Sequence, residues 1–121
     1  MTKLSEREWT VLSVLWESGD AELGALVERL YPETGWSRNT VLTYLKRMEA
    51  KGLVAISKDR YPHTYRAALD RAQCQAQERR SFLQRVYQGS TGDLVAAFLK
   101  EEPLSQAERD QLRRLLDEME V

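Results

Sequence analysis

Apolar residues recur every three or four positions along most of this chain, a spacing typical of amphipathic helices. A capping box, Ser5–Glu8, predicts the start of the first helix. A second apolar stripe, Leu23–Tyr31, predicts another helix that Pro32 and Gly35 close. The N-terminal third of the chain is therefore expected to form two packed helices.

A third helix is predicted from Ser37, a good N-cap residue, to Lys51, with Gly52 just beyond its end. Its inner face is apolar, whereas its far side and first turn carry residue types that contact phosphates and base edges in DNA complexes. These candidate DNA-binding residues are Arg38, Asn39, Thr40, Thr43, Lys46 and Arg47. A merely solvated helix would accept Glu as readily as Lys, yet Glu49 is its one acidic residue, so the pattern favours DNA contact.

A β-hairpin is predicted next, with strands over residues 53–58 and 64–69 and a turn between them. Its tip contributes Lys58 and Arg60 as further candidate DNA-binding residues, beside Tyr61 and His63. The tip by itself fits an ordinary polar turn equally well. Three helices followed by a hairpin with a charged tip are, however, the element order of a winged helix-turn-helix domain.

Beyond residue 69 the pattern predicts a long helix to Gly89, a short one after a break at residues 90–92, and a last one capped by Ser105–Glu108. Their apolar stripes are too narrow and too far apart for about 50 residues to bury alone. The candidate dimerisation residues are Phe82, Val86, Leu94, Phe98, Leu112, Leu115, Leu116 and Met119. The predicted fold is mainly α with a small β-hairpin (α+β), a DNA-binding domain over 1–69 and a helical dimerisation region over 70–121.

The distribution of charge supports a nucleic-acid partner although the net charge is −1. Residues 37–66 contain seven basic and two acidic residues, a local net charge of +5, whereas residues 70–121 carry −2. A phosphate backbone responds to this local charge rather than to the total.

Other classes of function lack their residues. The single cysteine, Cys74, and the single histidine, His63, offer no cluster of metal ligands, so we expect no metal and no cofactor. No phosphate-binding loop, nucleophile elbow or zinc-protease motif occurs, which argues against an enzyme. No run approaches the roughly 20 apolar residues of a membrane span, and residues 1–8 lack a secretory signal, so a cytoplasmic protein is expected.

The segments SEREWTVLSVLW (5–16), WSRNTVLT (36–43) and YLKRMEAKGLV (44–54) resemble the penicillinase-repressor family (BlaI/MecI/CopY), and residues 81–87, 94–99 and 104–116 are similar too. The resemblance implies a homodimer whose winged helices bind a two-fold operator in double-stranded DNA and whose C-terminal helices interlock. By position it implies DNA contacts from Ser37, Arg38, Asn39, Thr40, Thr43 and Arg47, with Lys58 and Arg60 on a basic wing.

The same resemblance bears on release from DNA. In antibiotic-responsive members a membrane-bound metalloprotease sensor triggers cleavage at a C-terminal Asn-Phe bond. The matching pair here is Ala97-Phe98, which retains the Phe and lacks the Asn. Copper-responsive members carry a C-terminal cysteine cluster, which this chain lacks. The inducing signal therefore stays open.

The sequence leaves two alternative functions open. One is a different winged-helix regulator, PadR-like, that responds to a small-molecule effector. The other is a winged helix that serves as a protein-interaction module without binding DNA, although the scarcity of acidic residues on the third helix speaks against it.

Overall fold

The computed structural model describes residues 3–119. The predicted segments 1–69 and 70–121 each include two terminal residues that lie outside this range. Within this range helices and strands follow in the order α1 (Glu6–Ser18), β1 (Ala21–Glu22), α2 (Leu23–Thr34), α3 (Arg38–Ala50), β2 (Val54–Ser57), β3 (Thr64–Ala67), α4 (Arg71–Tyr87), α5 (Thr91–Glu101) and α6 (Gln106–Glu118). The predicted class, mainly α with a small β component, is confirmed.

Side-chain caps start the helices where the sequence predicts. At α1 the Glu8 backbone N–H donates to the Ser5 hydroxyl (3.2 Å), and the Ser5 N–H donates to the Glu8 carboxylate (2.9 Å). Ser105 and Glu108 form the same reciprocal pair at α6. Ser37 accepts from the Thr40 N–H at the start of α3. Each cap satisfies N–H groups that the first helical turn leaves without partners.

Two residues that the sequence pattern places at helix ends, Pro32 and Gly92, lie inside helices instead. Pro32 lies inside α2, and Gly35, with a positive φ of 66°, ends that helix. Pro32 lacks the N–H that would bond to the Glu28 carbonyl, and the helix continues for only two residues beyond it. Near this end the Thr34 hydroxyl donates to the Leu30 carbonyl (2.7 Å). Gly92 lies inside α5, whose N-cap is Ser90. A glycine in the first turn does not end a helix, since it keeps its backbone N–H and adopts helical dihedral angles without steric cost.

The hairpin is part of a three-stranded antiparallel sheet with the order β1-β3-β2. Tyr65 on the central strand pairs with Ile56 on one side and with Ala21 on the other. The sequence pattern does not predict β1, because a strand of two residues contains no alternation of apolar and polar positions. The extra strand joins the end of β3 next to the turn, Thr64 and Tyr65, to the residues just before α2.

The chain divides into two compact units, one ending at Glu78 and the other beginning at Arg79. The first unit extends past the predicted boundary at residue 69 because Cys74 on α4 is buried in its core and Arg71 lies over the Trp16 ring. The core of this unit comprises Leu4, Val11, Leu12, Leu15, Leu26, Leu30, Val41, Leu45, Met48, Leu53, Val54, Tyr65 and Cys74.

The second unit contains the rest of α4 together with α5 and α6. Between residues 79 and 119 no side chain is fully buried. Apolar side chains of α5 and α6, among them Val95, Leu99 and Leu112, line an open groove of about 850 Å³. This part of the chain therefore has helical order without a closed core of its own.

Candidate nucleic-acid interface

Helix α3 presents a polar ridge to solvent because its opposite face is anchored in the core. Val41, Leu45 and Met48 are buried, so residues half a turn away point outward. Asn39 and Thr43 occupy the middle of this outward face and both are exposed. The Thr43 hydroxyl donates to the Asn39 carbonyl (2.9 Å), which fixes its side chain against the helix.

One side of this ridge faces the hairpin. Arg38, Leu42, Lys46 and Glu49, which we call the hairpin flank, line an open cleft of about 990 Å³ together with residues of the hairpin and of the start of α2. Lys58 reaches across from the hairpin, and its Nζ lies 3.4 Å from the Glu49 carboxylate. This ion pair joins the hairpin to α3, with the Lys58 side chain exposed and the Glu49 side chain half-buried.

The other side of the ridge faces the start of α1. Thr40, Tyr44, Arg47 and Lys51, which we call the α1 flank, follow one another at helical spacing. The Lys51 ammonium donates to the Glu8 carboxylate over 2.8 Å.

The aromatic ring of Tyr44 stacks on Trp36, with ring centroids 4.5 Å apart and an interplanar angle of 10°. The Arg7 guanidinium carbon lies 5.7 Å from the centroid of the same indole. Together with the Glu8–Lys51 pair, this stack fixes α1 against the α1 flank.

The hairpin tip extends a mixed charged and aromatic surface from the sheet. Lys58 and Arg60 are exposed, and Tyr61 retains 88% of its accessible surface. The Tyr61 and His63 rings meet edge to face at 5.5 Å. At the base of the turn the Ser57 hydroxyl donates to Asp59 (2.6 Å), and this hydrogen bond lowers the pKa of Asp59.

All nine candidate DNA-binding residues belong to the first unit, on α3, at its N-cap and on the hairpin. Eight are exposed and Thr40 is half-buried; the set is Ser37, Arg38, Asn39, Thr40, Thr43, Lys46, Arg47, Lys58 and Arg60. Sequence reasoning missed the Arg7–Trp36–Tyr44 stack, because Arg7 is 29 positions from Trp36 and no local pattern connects them.

Groups of metal-ligating side chains and membrane-spanning helices are both absent from the described part of the chain. Among residues 3–119, no group of three or more His, Cys, Asp or Glu side chains is arranged to hold a metal ion. No helix in the same range has the length and apolar character needed to cross a membrane.

The penicillinase repressor family model matches residues 4–118 of this chain. The chain belongs to the penicillinase repressor family. The family consists of DNA-binding transcriptional repressors, so the chain is a DNA-binding repressor and not an enzyme. Membership in the penicillinase repressor family also decides against the protein-interaction module that the sequence left open.

Two curated relatives illustrate the likeness. The methicillin resistance regulatory protein MecI of Mammaliicoccus sciuri is 28% identical over 115 residues, which cover 95% of this chain and 94% of that protein. The penicillinase repressor of Bacillus licheniformis is 28% identical over 116 residues, covering 96% of this chain and 91% of that protein.

Solved structures show the same fold. The DNA-binding domain of the repressor BlaI covers 58% of this chain and 85% of its own, with a TM-score of 0.52 and 24% identity. A MarR family protein from Bacillus stearothermophilus covers 98% of this chain and 74% of its own, with a TM-score of 0.56 and 24% identity. The fold of this penicillinase repressor family member is thus that of winged-helix regulators.

Proposed function

We propose that this chain is a homodimeric repressor that binds a two-fold operator in double-stranded DNA and represses the adjacent genes. In this proposal α3 enters the major groove and the hairpin follows the backbone beside it. The observation that carries the proposal is the outward ridge of α3, where Asn39 and Thr43 are exposed between Lys46 and Arg47. Such a repressor acts on the chromosome and hence in the cytoplasm.

The ridge fits a major groove in size and in chemistry. The groove admits a single α-helix, and amide and hydroxyl side chains recognise base edges there. Asn39 can pair with adenine, Thr43 can contact either type of base pair, and Arg47 and Lys46 can reach phosphates or guanine. The one acidic residue of α3, Glu49, is already paired with Lys58.

The ion pair between Lys58 and Glu49 is compatible with a DNA contact by Lys58. Exposed pairs of this kind contribute about 0–1 kcal/mol, so a phosphate can draw the ammonium away at little cost. Arg60 and Tyr61 lie further out on the hairpin, where both are exposed and can approach the same backbone.

Footprinting and salt dependence test the DNA interface. We expect a protected dyad with half-sites about one helical turn, roughly 10 base pairs, or a multiple apart. If Arg47 and Lys46 each bind one phosphate, Arg47→Ala and Lys46→Ala should each reduce the slope of log K against log salt by about 0.9 per protomer, hence about 1.8 for a dimer. Arg29→Ala is the matched control, because Arg29 pairs with Glu17 at the far end of α1.

Substitution of Thr43 should change base preference more than the salt slope, since binding to a base edge releases fewer counterions than binding to a phosphate. The assignment is wrong if no dyad is protected and both basic variants keep the wild-type slope.

The homodimer rests on the apolar surface of the second unit. Phe98, Leu116 and Met119 retain 57%, 67% and 69% of their accessible surface in the single chain. Burial of a leucine is worth about 1.5–3 kcal/mol, and two-fold symmetry counts each contact twice. A second copy of the chain is the partner that this argument favours.

Cutting the second unit would release the repressor from DNA. Two DNA-binding units that are no longer joined bind their half-sites separately, and each loses the high effective concentration that the dimer connection supplies. The candidate bond, Ala97–Phe98, lies inside α5, with Ala97 half-buried and Phe98 exposed. A protease needs local unwinding there, and within the single chain α5 has no fully buried side chain that resists it. Intact mass after exposure of producing cells to a β-lactam should reveal a fragment ending at Ala97. Derepression with a full-length chain would exclude this route.

A further inference from the structure

A helix in the major groove lies between two phosphate backbones, one along each edge of the groove. The hairpin, with Lys58 and Arg60, covers the edge next to the hairpin flank of α3. The second backbone must then run beside the α1 flank, on the other side of the ridge. A residue that binds this second backbone needs a positive charge held near the α1 flank.

The contacts of the α1 flank lead to the first turn of α1. Lys51 holds Glu8 at 2.8 Å, and Tyr44 stacks on Trp36, over which Arg7 lies. Both connections join α3 to consecutive residues of α1. They bring Arg7 to the same side of α3 as Arg47.

The charge of Arg7 is available to a ligand. Arg7 is exposed, and its guanidinium makes no salt bridge with any of residues 3–119. The neighbouring carboxylate of Glu8 is already occupied by Lys51. The face of Trp36 attracts the guanidinium and restricts its motion, so less side-chain entropy is lost when it binds an anion.

We infer that Arg7 is a further DNA-binding residue, which contacts the phosphate backbone along the groove edge opposite the hairpin. Trp36 and Tyr44 act as positioning residues that hold the guanidinium beside α3. The inference rests on the proposed function, since it takes the insertion of α3 into the major groove as its starting point. It extends the interface from α3 and the hairpin to α1.

The salt dependence of binding tests this inference on the full-length protein. The probe is a duplex carrying the site that the wild-type protein selects from a random-sequence library. Arg7→Gln removes the charge, and the slope of log K against log salt should fall by about 0.9 per protomer, about 1.8 for a dimer. The advantage of the wild type over Arg7→Gln should then shrink roughly tenfold between about 50 and 200 mM salt.

Two companion variants separate charge from structure. Arg7→Lys keeps the charge and should restore most of the slope, whereas a purely structural role of the stack would leave Lys and Gln equally impaired. Arg29→Gln removes a charge on α2 that pairs with Glu17 at the other end of α1, and it should leave the slope unchanged. Trp fluorescence and thermal unfolding verify that each variant is folded.

The outcomes also distinguish this inference from the proposed function. If Arg47→Ala lowers the slope and Arg7→Gln keeps the wild-type value, α3 binds DNA and the role of Arg7 is refuted. If Arg7→Gln lowers affinity equally at all salt concentrations, its effect is structural and the inference is again refuted. If no variant changes the slope, the proposed interface itself is wrong.

Discussion

Glu8 shows how one side chain serves two structural purposes. It closes the capping box with Ser5 at the start of α1, and it accepts a hydrogen bond from Lys51 at the end of α3. Burial raises the pKa of Glu8, but the hydrogen bonds from Lys51 and from the Ser5 backbone, with the charge of Lys51, outweigh it. The pKa of Glu8 therefore lies below its usual value of 4.5.

The Glu8→Gln variant should lose stability in a pH-dependent way. Because the pKa of Glu8 is lower in the folded protein, its stabilisation is complete above about pH 4.5 and is lost as the pH falls through the folded pKa. At neutral pH we expect a loss of about 1–2 kcal/mol in the free energy of unfolding. Urea unfolding followed by Trp fluorescence measures it in the first unit, which contains Trp9, Trp16 and Trp36.

The exposed Glu6, replaced by Gln, is the control for a lost charge in the same helical turn. The difference between wild type and Glu8→Gln should shrink as the pH falls below 4.5 and through the lowered pKa of Glu8. A difference that stays constant throughout acid titration below pH 4.5 would show that ionisation of Glu8 contributes nothing to folding.

At the scale of the elements, the end of α3 sets the position of the hairpin. Lys51 is the last cap residue, and Gly52 follows with a φ of 79°, after which the Leu53 N–H donates to the Met48 carbonyl (2.8 Å). This left-handed residue turns the chain from the helix axis into β2. The geometry of the candidate interface, in which the hairpin stands beside α3, thus depends on one glycine.

Gly52→Ala should destabilise the first unit by about 1 kcal/mol, because an alanine is strained at positive φ. Gly92→Ala is the matched control: Gly92 is helical in α5, and an added Cβ meets nothing within 4 Å at either glycine. Gly92→Ala should therefore stabilise its helix by about 0.5–1 kcal/mol. Urea unfolding followed by Trp fluorescence measures the effect of Gly52→Ala on the first unit. Urea unfolding followed by far-ultraviolet circular dichroism measures the effect of Gly92→Ala on helix α5. If both substitutions changed the free energy of unfolding by the same amount and in the same direction, the strain of alanine at the positive φ of residue 52 would be refuted as the cause.

On the scale of the whole molecule, the two units differ in how they bury apolar surface. The first unit has a closed core that contains Leu12, Leu26 and Leu45, each without accessible surface. The second unit, over residues 79–119, has helices with apolar faces and no fully buried side chain. We therefore expect assembly to depend on the second unit and the fold of the first unit to be independent of it.

Replacement of both Leu112 and Leu116 by Asp should convert a dimer into monomers, because two charges cannot be buried in an apolar interface without large cost. Operator affinity should fall strongly while Trp fluorescence of the first unit stays unchanged. Sedimentation equilibrium measures the mass. The double variant Gln111→Asp, Arg114→Asp adds more negative charge at exposed polar positions of α6 and should remain dimeric. A wild-type protein that sediments as a monomer at micromolar concentration would contradict the proposal.

Much of the local structure follows from the sequence. The capping residues Ser5, Ser37 and Ser105 predict three helix starts, and Gly52 predicts the end of α3, because each acts on backbone groups within four residues. The apolar spacing of α3 likewise predicts which residues face outward, and hence most of the candidate interface. These features are local in the chain, so a pattern of neighbouring residues suffices to find them.

The tertiary structure decided what depends on residues far apart in sequence. Strand β1 exists because Ala21 meets Tyr65, and the pairs Glu8–Lys51 and Glu49–Lys58 and the contact of Arg7 with Trp36 exist because the folded chain brings their elements together. Such contacts leave no periodic signal, since each partner alone is an ordinary residue on its own element. The sequence by itself determined the presence of the helices, the serine caps of α1, α3 and α6, and the outward face of α3. The tertiary structure decided what flanks that face, because only packing of the core sets the path of the chain around α3.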